Sequence, residues 1–199
     1  KEIKEKDGEK YLNMPKEEAI EELREVGREL ELNRIKKDLA YYRCGFDSWI
    51  SEKWILSEGL VEDSIEKMKK MGLLYEKDGA LWFESSKYGD DKDRVLVKSD
   101  GYYTYLTPDI ANHIHKFDRG YDLLVNIWGA DHHGHVARLK CALDALGLNG
   151  SERLEIVLMQ FVNLFVDGQP VRMSKRTGKA IQLGDLLDEV PVDSARFLF

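Results

Sequence analysis

The sequence predicts an α/β fold with a parallel sheet, and three observations support that prediction. After Pro108, short apolar runs alternate with helical segments, which is typical of parallel strands joined by crossover helices. The run 123–127 is short and almost continuously apolar, as expected for a strand buried in a parallel sheet. Polar groups follow it from Gly129 onward, at the end of the strand where sheets of this class hold their ligands.

The first part of the chain is predicted to be mainly helical. A charged amphipathic helix is expected over 16–43. Its predicted apolar stripe consists of Ile20, Leu23, Val26, Leu30 and Ile35. The aromatic segment 48–56 favours a strand. Asp63 or Ser64 is expected to cap a short helix that runs through Met71.

A β-hairpin is predicted next. The apolar segments 73–75 and 81–84 flank the tripeptide Lys-Asp-Gly at 77–79, which favours a tight turn. A polar, glycine-containing loop over 85–93 then leads to a strand at 95–97. This part of the chain therefore combines helices with antiparallel strands.

The second part alternates strands and helices. Pro108 fits the first turn of a helix that runs to about Phe117. Another helix is expected to open at Asp131 and to end at Gly147. The remaining predicted elements are a strand at 154–160, a hairpin around 167–168, and helices at 183–190 and 194–199.

Composition limits the class of protein. The chain has 199 residues and a net charge of −7, which argues against a protein that coats nucleic acid by charge alone. Cys44 and Cys141 lack metal-site spacing, so free thiols in a cytoplasmic protein are the simplest interpretation. No run approaches the roughly 18 apolar residues of a membrane helix. Because no Met begins the sequence and a helical run ends it, we expect a piece of a longer protein.

The segment 129–135 is the first candidate ligand site. Gly129 allows a ligand to approach the backbone closely, and Asp131 can accept hydrogen bonds from ribose hydroxyls or an ammonium group. His132, His133 and His135 lie at a predicted helix N-terminus, which attracts anions. Alternatively, Asp131 is only a helix cap and the histidines are surface residues. A metal site is the weaker alternative, because no further ligand is evident nearby.

A second candidate site follows at 173–179. Met173, Ser174, Lys175 and Arg176 precede a Thr-Gly-Lys sequence in a predicted loop. Lys175 supplies a positive charge and Ser174 a hydrogen-bond donor, and both are suited to stabilising the charge that develops on a leaving pyrophosphate. A solvated basic loop is the alternative.

Tyr105 and Asp109 form a third candidate, at the start of the predicted 108–117 helix. Residues four apart share one face of a helix. A carboxylate there can pair with a guanidinium, and a tyrosine can stack on that group or hydrogen-bond to it. The alternative is that Asp109 is a first-turn helix acid and Tyr105 a core residue.

Taken together, these segments resemble the catalytic domain of the arginyl-tRNA synthetases, which are class I aminoacyl-tRNA synthetases. The resemblance rests on 93–101 (DRVLVKSDG), 103–111 (YTYLTPDIA), 128–134 (WGADHHG), 167–168 (DG) with 173–176 (MSKR), and 185–190 (DLLDEV). It implies a Rossmann-like parallel sheet, the second half of such a catalytic domain, with an α+β insertion. Residues 1–90 would be the insertion or connective region and 91–190 the nucleotide-binding half. Residues 191–199 would begin a C-terminal helical anticodon-binding domain.

The resemblance also implies roles for the candidate residues. The family's second signature loop matches Met173, Ser174, Lys175 and Arg176, with Lys175 and Ser174 catalytic and the other two on ATP. The segment that contacts the adenosine and the amino-acid amine matches Gly129, Asp131 and His132. The Tyr-x-x-x-Asp pair that binds the arginine guanidinium matches Tyr105 and Asp109.

The implied reaction is attack of the arginine carboxylate on the α-phosphate of ATP, with Mg²⁺, followed by transfer to tRNA(Arg). Members of the family typically need bound tRNA even for the first step. The resemblance further implies a cytoplasmic protein that does not bind membranes and is a monomer at full length.

One departure from the family pattern leaves two alternatives. The string His-His-Gly-His at 132–135 satisfies the family's first signature, His-x-Gly-His, but the short distance to Met173 leaves no room for the half-sheet and insertion that separate the two signatures. We expect the true signature to precede Lys1, so that this chain alone does not activate arginine. The alternatives are a small-molecule nucleotidylyltransferase that uses 132–135 as its signature, and a non-catalytic synthetase paralogue.

Overall fold

The computed structural model describes residues 2–160, 165–166, 169–170 and 182–198. Its helices are α1 (Glu2–Asp7), α2 (Lys16–Tyr41), α3 (Glu52–Ser57), α4 (Leu60–Lys70), α5 (Leu106–Asp118), α6 (His133–Ala145), α7 (Gly150–Arg153), α8 (Leu183–Glu189) and α9 (Val192–Leu198). Its strands are β1 (Leu74–Lys77), β2 (Ala80–Phe83), β3 (Arg94–Val97), β4 (Leu124–Gly129), β5 (Leu154–Met159), β6 (Phe165–Val166) and β7 (Gln169–Pro170). None of the described helices has both the length and the apolar character of a membrane span.

Contacts divide the chain into two compact units. The first comprises Lys1–Ser48 and Phe165–Phe199, and the second comprises Trp49–Leu164. In the first unit, the helix predicted over 16–43 is present as α2, and the last two predicted helices are present as α8 and α9. The predicted hairpin is present where it is described, because β6 and β7 pair antiparallel.

The apolar stripe predicted along α2 does not form a buried face. Ile20 and Ile35 are both nearly half exposed, whereas Ala19 is buried. The reason is geometric, since at 3.6 residues per turn the five predicted positions spread over about half of the helix circumference. The core of this unit instead lies around α8 and α9, where Leu187 and Ala195 are buried together.

The strand prediction for 48–56 is wrong, because α3 occupies most of this segment. The Ser51 hydroxyl accepts a hydrogen bond from the backbone N–H of Trp54 at 3.0 Å, which caps the helix. Ile55 is then buried against Val61 of α4. Here a capping residue and tertiary packing outweigh the β propensity of the aromatic residues. The next helix also begins earlier than predicted, directly after Gly59.

The predicted hairpin and the strand after it form an antiparallel sheet in the order β1-β2-β3. Asp78 and Gly79 connect β1 to β2 with φ values of 53° and 73°, as a two-residue turn of mirror-image type requires. The sheet lays Phe83 and Leu96 into the main core, where both are fully buried. The polar segment between β2 and β3 contains a single 3₁₀ turn, Ser85–Tyr88.

The parallel sheet predicted for the second part of the chain is confirmed by β4 and β5, which pair in parallel with α6 and α7 between them. Leu139 and Leu143 of α6 are buried in the same cluster as Leu124 and Leu154 of the two strands. The expectation that 123–127 is buried on both faces is wrong within the described residues. Val125 is 53% and Ile127 73% exposed, while Leu124 and Asn126 are buried, so burial alternates along β4.

Candidate active site

The carboxyl end of β4 and the first turn of α5 carry the described candidate residues, all of which belong to the second unit. Strand β4 ends at Gly129, and a 3₁₀ turn, Ala130–His132, leads directly into α6. Ligands of α/β proteins bind at this edge of a parallel sheet. The fold therefore places the predicted glycine–aspartate–histidine segment at the edge of the sheet where ligands of such proteins bind.

Tyr105 and Asp109 lie at the beginning of α5, which starts at Leu106. The alternative that Tyr105 is a core residue is wrong, because its side chain is 88% exposed. Asp109 is a first-turn acid, and its side chain is 42% exposed. Both polar groups are thus accessible to a ligand. That the two residues bind the same ligand stays a prediction.

Asp109 has a partner that the sequence did not reveal. The distance between Nε2 of His135 and Oδ2 of Asp109 is 2.7 Å, so the imidazole N–H donates a hydrogen bond to the carboxylate. His135 lies in the first turn of α6. No sequence pattern links positions 109 and 135, since their contact depends on the packing of α5 against α6.

Trp128, the penultimate residue of β4, packs against two histidines of the following turn. Its ring centroid lies 6.0 Å from that of His132 and 5.5 Å from that of His135. These contacts are tilted rather than parallel, an arrangement that aromatic rings favour. The indole therefore joins the end of the strand to the start of α6.

The Asp131 carboxylate lies against the backbone at Gly129, so a larger residue at this position would displace that side chain. A Cβ atom added at this position would lie 2.5 Å from Oδ1 of Asp131, much closer than atoms approach. Asp131 does not occupy a capping position, because Gly129 caps the 3₁₀ turn and His132 caps α6. The alternative role of Asp131 as a helix cap is therefore wrong. Its side chain and that of His132 are both about 60% exposed, which leaves them open to a ligand.

A buried polar network lies directly behind Asp109. His113 of α5 is 2% exposed, and its Nδ1–H donates to the backbone oxygen of Asp109 at 2.7 Å. Its Nε2 accepts a hydrogen bond from Nδ2 of Asn126 in β4 at 2.8 Å. Burial lowers the pKa of His113 below its ordinary value, which favours this neutral form. The network ties α5 to β4 through a residue that sequence analysis did not single out.

Lys116 completes the network at its exposed end. Its ammonium group donates to Oδ1 of Asn126 at 3.5 Å, and burial lowers its pKa. The two hydrogen bonds settle the orientation of the Asn126 amide. Asn126, a polar residue inside the otherwise apolar run 123–127, was the signal in the sequence that could have pointed to this network.

The second candidate site cannot be placed in the same way. Met173, Ser174, Lys175 and Arg176 lie outside the described residues. Within the described parts of the chain, no group of three or more histidine, cysteine, aspartate or glutamate side chains could hold a metal ion.

Comparison with known proteins gives consistent matches over the whole chain. Residues 4–198 match the family described as "tRNA synthetases class I (R), catalytic domain". Arginine–tRNA ligase 1 of Halalkalibacterium halodurans is 50% identical over 199 residues, which are 100% of this chain and 36% of that relative. The chain therefore spans about a third of the length of the curated relatives that it matches.

Two solved structures share the fold. A Campylobacter jejuni protein, provisionally described as an arginyl-tRNA synthetase, has a TM-score of 0.87 at 38% identity and covers 98% of this chain and 41% of that one. The arginyl-tRNA synthetase of Thermus thermophilus has a TM-score of 0.68 at 19% identity, over 93% of this chain and 37% of that one, which supports the fold alone. The predicted Rossmann-like α/β fold of class I synthetases is therefore confirmed, and the chain belongs to the family of class I (R) tRNA synthetase catalytic domains.

Proposed function

We propose that the full-length protein containing this chain is an arginine–tRNA ligase, and that the chain supplies part of its amino-acid activation site. The observation that carries the proposal is Asp109, a partly exposed carboxylate held in place at the edge of the sheet next to the exposed Tyr105. The family match and the identity of whole-chain relatives support the same function. They weigh against a nucleotidylyltransferase that uses 132–135 as its signature.

Asp109 would bind the arginine guanidinium. Only one of its oxygens, Oδ2, bonds to His135 within the described contacts, so the carboxylate keeps acceptor capacity for a cationic ligand. Guanidinium and carboxylate groups match in shape and form paired hydrogen bonds, which a lysine ammonium cannot reproduce. Tyr105 would stack on the guanidinium plane or accept one of its N–H groups. This pair would select arginine among the amino acids.

ATP would lie along the turn after β4. Asp131 and His132 present exposed polar groups beside Gly129, and the Asp131 carboxylate lies against the Gly129 backbone. In the reaction, an oxygen of the arginine carboxylate attacks the α-phosphorus and the bond to pyrophosphate breaks. Lys175 and Ser174 would stabilise charge on the leaving pyrophosphate, with Met173 and Arg176 on the same loop. Mg²⁺ is commonly bound through substrate phosphates and water, so the proposal assigns it no ligand from this chain.

The proposal includes the partners and the setting of the whole protein. The adenylate would pass its arginyl group to the 3′ end of tRNA(Arg), and the protein would act as a cytoplasmic monomer. Residues 1–90 would form the connective insertion, 91–190 the nucleotide-binding half, and 191–199 the start of a helical anticodon-binding domain.

The test is arginine-dependent exchange of pyrophosphate into ATP by the full-length protein in the presence of tRNA(Arg). Wild-type protein is expected to respond to arginine, Asp109→Ala to lose that response, and Lys175→Ala to turn over more slowly. An inactive wild type that still binds arginine would favour a non-catalytic paralogue. Activity that is indifferent to arginine and tRNA would contradict the proposal.

A further inference from the structure

Asp109 is supported from two sides by two different histidines. His113 holds its backbone carbonyl from within the core, and His135 holds its side-chain carboxylate from the first turn of α6. His135 is itself mostly buried, with 16% of its side chain exposed, whereas the Asp109 side chain is 42% exposed. The imidazole is therefore the more closely packed of the two partners.

We infer that His135 is a positioning residue for arginine recognition: its N–H holds the Asp109 carboxylate in the orientation that receives the guanidinium. The inference rests on the proposed function, because it concerns the same site. A partly exposed aspartate in a helix has more than one accessible rotamer, and each one points the carboxylate in a different direction. A hydrogen bond to a fixed donor selects one of them before the ligand arrives, which lowers the entropy lost on binding.

The ring of His135 is held in place by Trp128. The indole of Trp128 packs 5.5 Å from the imidazole, and Trp128 is the residue immediately before Gly129. A series of contacts thus connects the end of β4 to Asp109, from Trp128 to His135 and from His135 to the carboxylate. His135 lies in the first turn of α6, directly after the 3₁₀ turn that contains Asp131 and His132. The group that orients the arginine-binding carboxylate therefore lies next to the segment proposed to contact the nucleotide.

His113 provides an internal contrast to His135. It bonds to the Asp109 backbone and to Asn126 from a fully buried position, so it supports the helix rather than the carboxylate. Loss of His113 is expected to lower stability. Loss of His135 is expected to change how tightly arginine binds while the fold stays intact.

The experiment compares full-length wild type with His135→Ala and His135→Gln in arginine-dependent pyrophosphate exchange with tRNA(Arg), at varied arginine and at varied ATP. His135→Ala is expected to raise KM for arginine roughly tenfold or more, since a hydrogen bond to a charged group is lost. KM for ATP and kcat are expected to change much less. His135→Gln keeps an N–H donor near the position of Nε2 and is expected to recover most of the arginine affinity.

His115→Ala is the matched control. His115 lies on α5 as well, but its ring packs edge-on against Trp54 at 5.2 Å rather than on Asp109. This variant is expected to leave both KM values within about twofold of wild type, since it removes an imidazole outside the site. Its melting temperature and that of His135→Ala, measured on the same preparations, separate a change in binding from a loss of folded protein.

The outcomes distinguish this inference from the proposed function. An inactive wild type would contradict the proposed function. An active wild type in which Asp109→Asn impairs arginine use but His135→Ala does not would overturn the role of His135 alone. Equal increases in the KM for arginine and for ATP in His135→Ala would likewise overturn it. So would a failure of His135→Gln to recover arginine affinity, because a hydrogen bond that orients Asp109 should affect arginine alone and should be restored by an N–H donor.

Discussion

Two aspartates of the second unit accept hydrogen bonds from basic side chains, but in different ways. Asp90 precedes β3, its side chain is 3% exposed, and both of its oxygens accept hydrogen bonds from Arg94 at 2.7 Å. Asp109 is 42% exposed, and one of its oxygens accepts a hydrogen bond from His135 at 2.7 Å. We call the first pair closed, because both oxygens of a buried carboxylate are bonded to the guanidinium. We call the second pair open, because one oxygen of a partly exposed carboxylate is bonded to the imidazole.

The difference shows how a carboxylate is committed to structure or left available for a ligand. The Arg94 guanidinium holds the pKa of Asp90 well below its usual range, since it neutralises the charge with two bonds in a buried position. Asp90 has little capacity left for anything else. Among the described residues, Asp109 has one side-chain hydrogen-bond partner, His135, and it retains both its exposure and further acceptor capacity. The four predictions below test this comparison, from the largest expected effect to the smallest.

Arg94→Met is expected to have the largest effect. It leaves the buried Asp90 carboxylate without its charged partner, which typically costs about 3–5 kcal/mol of stability. Urea denaturation of the full-length protein and hydrogen exchange of the β3 amides would measure the loss. The double variant Asp90→Leu/Arg94→Met removes both charges and is expected to regain much of it. A loss below about 1 kcal/mol in the single variant would show that the pair is not closed.

Asp109→Asn is expected to show the opposite profile. The substitution keeps the shape of the side chain but removes the charge that would pair with arginine, so kcat/KM for arginine is expected to fall roughly a hundredfold or more. Stability is expected to change by less than about 1 kcal/mol, because the side chain is partly solvated. Steady-state kinetics and melting of the same full-length preparations test both parts. A large loss of stability would make Asp109 a structural residue like Asp90.

The pH dependence of stability sharpens the comparison at Asp90. Because folding lowers the pKa of this group, its ion pair stabilises the protein fully above the unfolded pKa of about 3.9. That stabilisation is lost as the pH falls through the folded-state pKa. The difference in unfolding free energy between wild type and Asp90→Asn should therefore stay constant from pH 8 to about pH 5. Below about pH 4 it should shrink by up to about 1.4 kcal/mol per pH unit. A difference that does not depend on pH would contradict the assignment.

The smallest effect is expected at Asp91. Its carboxylate also contacts Arg94, but its side chain is 72% exposed. Water already solvates such a group, so Asp91→Asn is expected to change stability by roughly 0–1 kcal/mol. The same denaturation assay, run beside Arg94→Met, tests whether burial rather than the number of ion pairs decides the energy. A change as large as that of Arg94→Met would mean that Asp91 is the main partner.

Local patterns in the sequence were sufficient for the hairpin and for the parallel unit. Asp78 and Gly79 allow positive φ values, and that property belongs to the two residues themselves. The apolar runs at β4 and β5 and the helical segment between them likewise predict their own pairing. The strand prediction for 48–56 was wrong, because the cap at Ser51 and the burial of Ile55 outweighed the β propensity of the segment. The prediction of a buried apolar stripe along α2 was wrong, because the spacing of its five residues spreads them over about half of the helix circumference.

The sequence by itself determined the turn chemistry, the strand–helix order, and a set of residue types whose order along the chain identifies the family. Those features depend on neighbours within a few residues, or on motifs that can be read directly as short stretches of the sequence. Only the tertiary structure decided that His135 bonds to Asp109, that His113 and Asn126 join α5 to β4, and that Asp90 is closed while Asp109 is open. Each of these depends on elements that pack together in space, and on the burial that follows, which no local pattern records.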